Sequence, residues 1–159
     1  MRVRQYVCFM LSSATSTAAE LSDRVGMIAD RSTVRGSRVG GDQPIPRWHM
    51  WELCCDSAEL PIDKQLARLV ARLAPHVATI SEIVRQLGME RPPGSATFSI
   101  VRHFDDPEGA KEVPRQVVTG GRGLATMTGQ HQLLGWHLDR ETLQFILGIG
   151  AAIDVDEYG

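Results

Sequence analysis

Four arginines in a glycine-rich stretch are the first residues whose type and spacing suggest chemistry. They are Arg31, Arg35, Arg38 and Arg47, interleaved with Gly36, Gly40 and Gly41. A guanidinium group makes paired hydrogen bonds to phosphate or carboxylate, and glycine lets the backbone approach an anion closely. The stretch therefore predicts a loop that binds an anion or a protein partner. The alternative is a solvated loop whose arginines pair with neighbouring carboxylates.

Two tryptophans next to this stretch extend the predicted binding surface. Trp48 follows Arg47 directly, and Trp51 comes three residues after Trp48. A partly exposed tryptophan is a frequent hot spot of protein interfaces, whereas a buried one anchors a core. We assign both tryptophans to the predicted interface and keep the core position as the alternative.

A second set of residues could bind a metal ion. His49, His103 and His137 fall on three predicted strands, so their imidazoles could converge on one ion. Asp154 and Asp156 are two positions apart on a strand and point the same way, as a cation site or an acid/base pair requires. Ordinary sheet packing explains the histidines, and a charged edge that discourages aggregation explains the aspartates. We therefore predict no metal and no cofactor, and we keep this set as the alternative.

The usual catalytic signatures are missing from the sequence. It contains no GxSxG, no HExxH, no CxxC, no Rossmann glycine fingerprint and no EF-hand loop. This absence favours a binding protein over an enzyme.

The cysteines are Cys8, Cys54 and Cys55. Neighbouring residues of a strand point to opposite faces, so Cys54 and Cys55 are poorly placed to pair or to share a metal. We predict reduced thiols in a cytoplasmic protein, with a nucleophilic cysteine as the alternative. The N-terminal residues lack the apolar segment of a signal peptide, and no apolar run approaches the roughly 18 residues of a membrane span.

Composition and charge restrict the class of partner. The chain has 159 residues, of which 43% are hydrophobic and 23% charged, as is ordinary for one globular domain. Its net charge of -2 argues against a protein that binds nucleic acid over its whole surface. Residues 31–47 carry four arginines against Asp42, and residues 139–159 carry five acids against Arg140. This polarity favours electrostatic recognition of another protein.

The spacing of apolar residues predicts the elements that position these side chains. Alternating patterns predict strands over residues 3–11, 96–104 and 151–158, and bulky residues on both faces predict a central strand over 47–55. Residues 132–138 are predicted to form a further strand. Steps of three and four predict a short helix after Thr17, a long helix over 61–87 with a kink or a division into two helices at Pro75, and a short helix after Asp139. Residues 105–131 are polar, rich in glycine and without a period, so they predict a long loop insertion.

The order of these elements predicts an α+β fold in a single domain over residues 1–159. The order is β-α-β-α-β-β-α-β, and each helix carries one apolar stripe. We expect a mixed, mainly antiparallel sheet of about five strands, with the helices packed on one face so that these stripes are buried. We expect a ferredoxin-like arrangement with a long inserted helix.

Several segments together resemble a bacterial family of small α+β proteins whose function is unknown. They are the opening strand, Val25-Gly26 to Arg31 with Gly36, Arg47-Trp48 to Trp51-Glu52, Leu73-Ala-Pro-His76, and Gly150 to Tyr158. Residues 105–131 depart from the resemblance. It implies a compact single-domain cytosolic protein with no established activity and no catalytic residues. Some members of the family resemble toxin–immunity proteins, which makes an immunity- or antitoxin-like role the most concrete expectation.

These observations predict a small protein-binding module. Its interface would combine the arginine loop, the 105–131 loop and an exposed tryptophan. Its partner would be another protein, with a homodimer as a further arrangement and with no role for membranes or nucleic acid. The alternative is a small enzyme or ligand-binding protein that depends on a metal or an anion.

Overall fold

The fold is seen in a computed structural model that describes residues 2–37, 45–57, 60–105, 116–119, 122–125 and 135–159. The strands are β1 (Arg2–Ser13), β2 (Arg31–Thr33), β3 (His49–Cys55), β4 (Ser95–Asp105), β5 (Gln116–Thr119), β6 (Arg122–Ala125) and β7 (Ala152–Tyr158). The helices are α1 (Ala18–Val25), α2 (Ile62–Leu73), α3 (Val77–Leu87) and α4 (Arg140–Gly148). Arg38 and much of the predicted 105–131 insertion lie outside the described residues.

Five strands form one mixed sheet, which confirms the predicted fold class. The order across the sheet is β2-β3-β1-β4-β7. The β4–β7 pair is parallel, and the other pairs of this sheet are antiparallel. The helices pack on one face of the sheet, and we call the opposite face the distal face. No helix in the described part of the chain is both long and apolar enough to cross a membrane.

Strand β1 lies at the centre of the sheet and turns a row of apolar side chains toward the helices. Val7, Phe9 and Leu11 are fully buried in the core beneath the helices. In register, Phe9 lies between Leu53 of β3 and Phe98 of β4. Burying such a side chain contributes roughly 1.5–3 kcal/mol. This row therefore determines which face of the sheet meets the helices.

The apolar stripe over residues 61–87 forms two helices, as the position of Pro75 predicts. Helix α2 ends at Leu73, and a 3₁₀ turn over Ala74–His76 leads into α3. Proline lacks the backbone N–H and clashes with the preceding turn, so the helical phase shifts at this point. In α3 the first residue, Val77, is 37% exposed, whereas Ile80 and Ile83 are buried.

The predicted strand over 132–138 is wrong for residues 135–138, which form no strand. These residues lead into α4 and pair with none of the described strands. Trp136 and Leu138 instead pack against the core without strand pairing. The sequence had not predicted β2, which adds three residues beside β3. A short hairpin inside the loop insertion was expected over residues 113–118, and the observed hairpin pairs β5 with β6 a few residues later.

One crossover has the split arrangement of ferredoxin-like folds. Strands β3 and β4 are both antiparallel to β1, so they run parallel to each other with β1 between them, and α2 and α3 connect them. The last crossover differs because β4 and β7 are direct neighbours. The fold therefore ends in an adjacent parallel pair with α4 in the connection.

A close backbone approach at Gly94 gives a first prediction on stability. A Cβ atom at Gly94 would overlap the carbonyl oxygen of Ser12 and would press on Leu87. Since backbone atoms cannot move aside as a flexible side chain does, Gly94→Ala should lower the free energy of unfolding by about 1–3 kcal/mol. Urea denaturation followed by circular dichroism measures this change.

The matched control is Gly148→Ala at the end of α4. A Cβ atom there has no neighbour within 4 Å. Alanine also loses less conformational freedom on folding, so we expect a change below about 1 kcal/mol. Equal losses of stability in the two variants would contradict the close approach at Gly94.

Candidate functional site

The distal face carries a group of chemically versatile side chains. Alternation along β1 and β3 places sulfur, carboxylate and phenol groups side by side on this face. They are Tyr6, Cys8 and Met10 of β1 and Met50, Glu52 and Cys54 of β3. Cys8 is buried and the others are half-buried.

Cys8 and Cys54 are joined by a disulfide across β1 and β3. They are direct partners in the strand register, with Cα atoms 4.1 Å apart. This short separation is typical of a pair that exchanges no backbone hydrogen bonds, where side chains approach most closely. The prediction of three reduced thiols is therefore wrong for Cys8 and Cys54. Cys55 is free and lies on the opposite face, as alternation predicted.

Glu52 lies beside this disulfide. One carboxylate oxygen of Glu52 and the two sulfur atoms all lie within 4.8 Å of one another. Burial raises the pKa of the Glu52 carboxyl above its ordinary value, and the charge of Arg31 partly opposes this. The site therefore combines two sulfurs with a half-buried carboxyl group.

Polar contacts fix the end of β3 that extends beyond its pairing with β2. The backbone N–H of Cys54 donates to the Asp30 carboxylate at 2.8 Å, and Arg72 of α2 makes two hydrogen bonds to the same carboxylate. The hydrogen bond from Arg72 lowers the pKa of Asp30, against the effect of burial. The Cys54 carbonyl accepts a longer hydrogen bond from Arg72 at 3.4 Å. The backbone of Cys54 is thus fixed from outside the sheet.

The predicted arginine loop does not form one anion site among the described residues. Arg31 pairs with Asp56 at 3.1 Å and lies over the ring of Tyr6. Arg35 donates to the backbone carbonyl of Ala14 at 2.8 Å. Each of these two guanidinium groups has its own neighbour, which agrees with the alternative of locally paired arginines. Arg47 is exposed.

The two tryptophans of the predicted interface have different environments. Trp51 is fully buried, and its indole N–H donates to the Ser22 hydroxyl at 2.9 Å. Its ring meets that of Phe9 edge to face. Its assignment to a binding surface is therefore wrong, because it joins β3 to α1 in the core. Trp48 is half-buried.

The three histidines of the metal hypothesis do not come together. His49 pairs in register with Ser13 at one end of β1, whereas His103 pairs with Arg4 near the other end. These positions are roughly 30 Å apart at about 3.3 Å per residue. His137 is exposed in the segment that precedes α4. In the described part of the chain, the group of cysteine, histidine and acidic side chains close enough to share an ion is Cys8, Glu52 and Cys54.

Strand β7 forms one of the two edges of the sheet. Among the described residues its partner is β4 alone, so its other side has no paired strand. Asp154 and Asp156 share the distal face of this strand and are both exposed. Glu157 points the other way and pairs with the buried Arg102 at 2.6 Å. The two aspartates are thus the exposed negative charges of this strand's distal face.

The family comparison agrees with the predicted resemblance. The profile of a family described as a domain of unknown function (DUF4279) matches residues 3–108. The chain belongs to the DUF4279 family. No curated protein and no solved structure matches it. The DUF4279 segment contains β1 to β4, so α4 and β7 follow it in sequence.

The cluster of Cys8, Glu52 and Cys54 lies inside the DUF4279 segment, and sequence reasoning missed it. The alternation of each strand was visible, and it placed Glu52 and Cys54 on one face of β3. The register between β1 and β3 was not visible, since the strands are separated by α1 and β2. Only this register brings Cys8 opposite Cys54.

Proposed function

We propose that the protein is a binding module whose partner is another protein, and that the partner docks along β7 and α4. The observation that carries the proposal is the unpaired outer edge of β7 among the described residues. A strand edge presents backbone N–H and C=O groups that an extended segment of another chain can pair with. The opposite edge strand, β2, has only three residues and offers much less pairing.

Exposed apolar side chains on α4 and β7 support this location. They are Leu143 and Leu147 of α4 and Val155 and Tyr158 of β7. Leu147 is 80% exposed, and Leu143 lies one helical turn before it on the same side of α4. Leu143, Leu147 and Val155 border the outer edge of β7 on the helix side of the sheet, whereas Tyr158 borders it on the distal face together with Asp154 and Asp156. We call these six residues the C-terminal surface. An exposed apolar group bordered by charge is typical of a protein interface.

The charge of the C-terminal surface indicates the chemistry of the partner. Asp154 and Asp156 would lie opposite the side chains of an added strand, where lysine or arginine pairs favourably with them. A second copy of β7 would instead bring carboxylates against carboxylates. We therefore propose an extended basic segment of a different protein as the occupant. An immunity- or antitoxin-like protein would act in this way, by stoichiometric binding without catalysis.

Charge reversal on β7 tests the proposal. The tagged chain and its Asp156→Lys variant are expressed in the source cells, and co-purified proteins are quantified by mass spectrometry. We expect the unaltered chain to co-purify with a near-equal amount of one partner. The variant should retain at least about tenfold less of that partner, because lysine on β7 would repel a basic segment that Asp156 attracts. Added salt should weaken the complex further.

The matched control is Asp23→Lys, which makes the same charge change at an exposed position of α1. It should retain the partner. A partner that stays bound to Asp156→Lys, or that is lost equally from both variants, would contradict docking at β7. A dimer of the chain that Asp156→Lys abolishes in light scattering would replace the basic partner with a second copy.

A further inference from the structure

We propose that Cys8, Cys54 and Glu52 form a zinc site when the disulfide is reduced. The inference does not depend on the partner at β7, because it rests on a different part of the sheet. Thiolate and carboxylate are ligands that Zn²⁺ accepts together, and a pair of thiolates selects it over hard cations such as Mg²⁺. The disulfide is then the form that cannot bind the metal.

The backbone already places the two sulfur ligands. Cys8 and Cys54 are register partners on the same face, with Cα atoms 4.1 Å apart. In a tetrahedral zinc site with Zn–S distances of about 2.3 Å, two sulfurs lie roughly 3.8 Å apart. Rotation about the two Cα–Cβ bonds supplies this separation, so the strands need not move.

Glu52 provides the third ligand from the same strand as Cys54. Its carboxylate oxygen lies within 4.8 Å of both sulfurs. The half-buried Glu52 and Cys54 leave a route for the ion, whereas Cys8 is only 2% exposed and forms the floor of the site. Three protein ligands leave a fourth position for water, as in zinc sites that are not purely structural.

The residues around the cluster would stabilise a metal-bound form. Asp30 and Arg72 fix the backbone of Cys54 through its N–H and its carbonyl. Arg31 is the cross-strand partner of Glu52, and its positive charge offsets part of the negative charge of two thiolates and a carboxylate. Such outer contacts keep ligands oriented and commonly change metal affinity by about 10–100-fold.

The conversion between the two forms is a two-electron exchange with a dithiol. One thiolate of the dithiol attacks the half-buried Cys54 sulfur, the Cys8–Cys54 bond breaks, and the sulfur of Cys8 leaves as a thiolate and takes up a proton. The second thiol of the dithiol displaces Cys54, and the dithiol becomes a cyclic disulfide. Binding of Zn²⁺ then releases the protons held by the two cysteine sulfurs.

The experiment uses the full chain and Zn²⁺ alone as the probe. The protein is reduced with a dithiol, freed of reductant without oxygen, dialysed against Zn²⁺, and analysed for bound metal. We expect one zinc per reduced chain and background zinc on the oxidised chain. Co²⁺ in place of zinc should give the near-ultraviolet absorption of cobalt–thiolate bonds.

Three variants separate the proposed site from other binding. Cys8→Ser and Glu52→Gln should each weaken zinc affinity at least about tenfold, and Glu52→Gln keeps both cysteines and therefore the disulfide. Cys55→Ser is the matched control, since this free cysteine adjoins Cys54 but faces the helices, and it should bind zinc normally. Zinc at background on the reduced chain, or equal affinity in Glu52→Gln and the unaltered chain, would overturn the proposal.

Discussion

Replacing Trp51 with alanine should lower the free energy of unfolding by about 3–5 kcal/mol. Trp51 is fully buried, and its ring lies 6.3 Å from that of Phe9 in an edge-to-face contact. Truncation removes this packing, leaves a cavity between β3 and α1, and deprives the Ser22 hydroxyl of the indole N–H. Urea denaturation at constant pH, followed by far-ultraviolet circular dichroism, measures the loss.

Trp48→Ala is the matched control, since it removes the same side chain from a half-buried position three residues away. We expect it to cost less than about half as much, because less apolar area leaves water when Trp48 folds. Trp51→Phe should fall between the two, since it keeps most of the packing and loses the hydrogen bond to Ser22. Equal losses in Trp48→Ala and Trp51→Ala would contradict the core position of Trp51.

The elements of the fold were predictable where one physical signal dominates. Alternation in β1 and β7 and the stripe broken at Pro75 are local patterns, and each predicts an element without knowledge of the rest of the chain. β2 was not predictable, because three residues are too few to show a period. The predicted strand through Trp136 failed for a non-local reason. Whether an apolar segment pairs as a strand or only packs on the core depends on distant parts of the chain. Trp136 and Leu138 pack on the core, and no pattern in residues 132–138 contains that information.

The candidate sites show the same division between local and non-local information. The exposed position of Asp154 and Asp156 on one face of β7 followed from alternation alone. The buried position of Trp51 did not follow from its type, because tryptophan serves cores and interfaces alike. The pairing of Cys8 with Cys54 depends on the register of two strands that are distant in sequence. A register shift of one residue would send Cys54 to the helix face.

Reduction of the Cys8–Cys54 disulfide should lower the free energy of unfolding by up to about 4 kcal/mol. The bond joins residues separated by 46 positions, so it restricts a large loop of the unfolded chain. The loss in chain entropy that it causes grows with the logarithm of loop length. Urea denaturation of the oxidised and the dithiol-reduced protein measures the difference, with a chelator present so that metal does not stabilise the reduced form.

A variant with Cys8→Ser and Cys54→Ser should have the stability of the reduced chain and should not respond to the dithiol. Cys55→Ser should keep the full difference between oxidised and reduced protein, because its thiol takes no part in the bond. If reduction left the stability of the unaltered chain unchanged, the disulfide would not form in solution. If zinc added to the reduced chain restored part of the lost stability, the same two sulfurs would link strands β1 and β3 in both forms, since a ligand that binds only the folded state stabilises it.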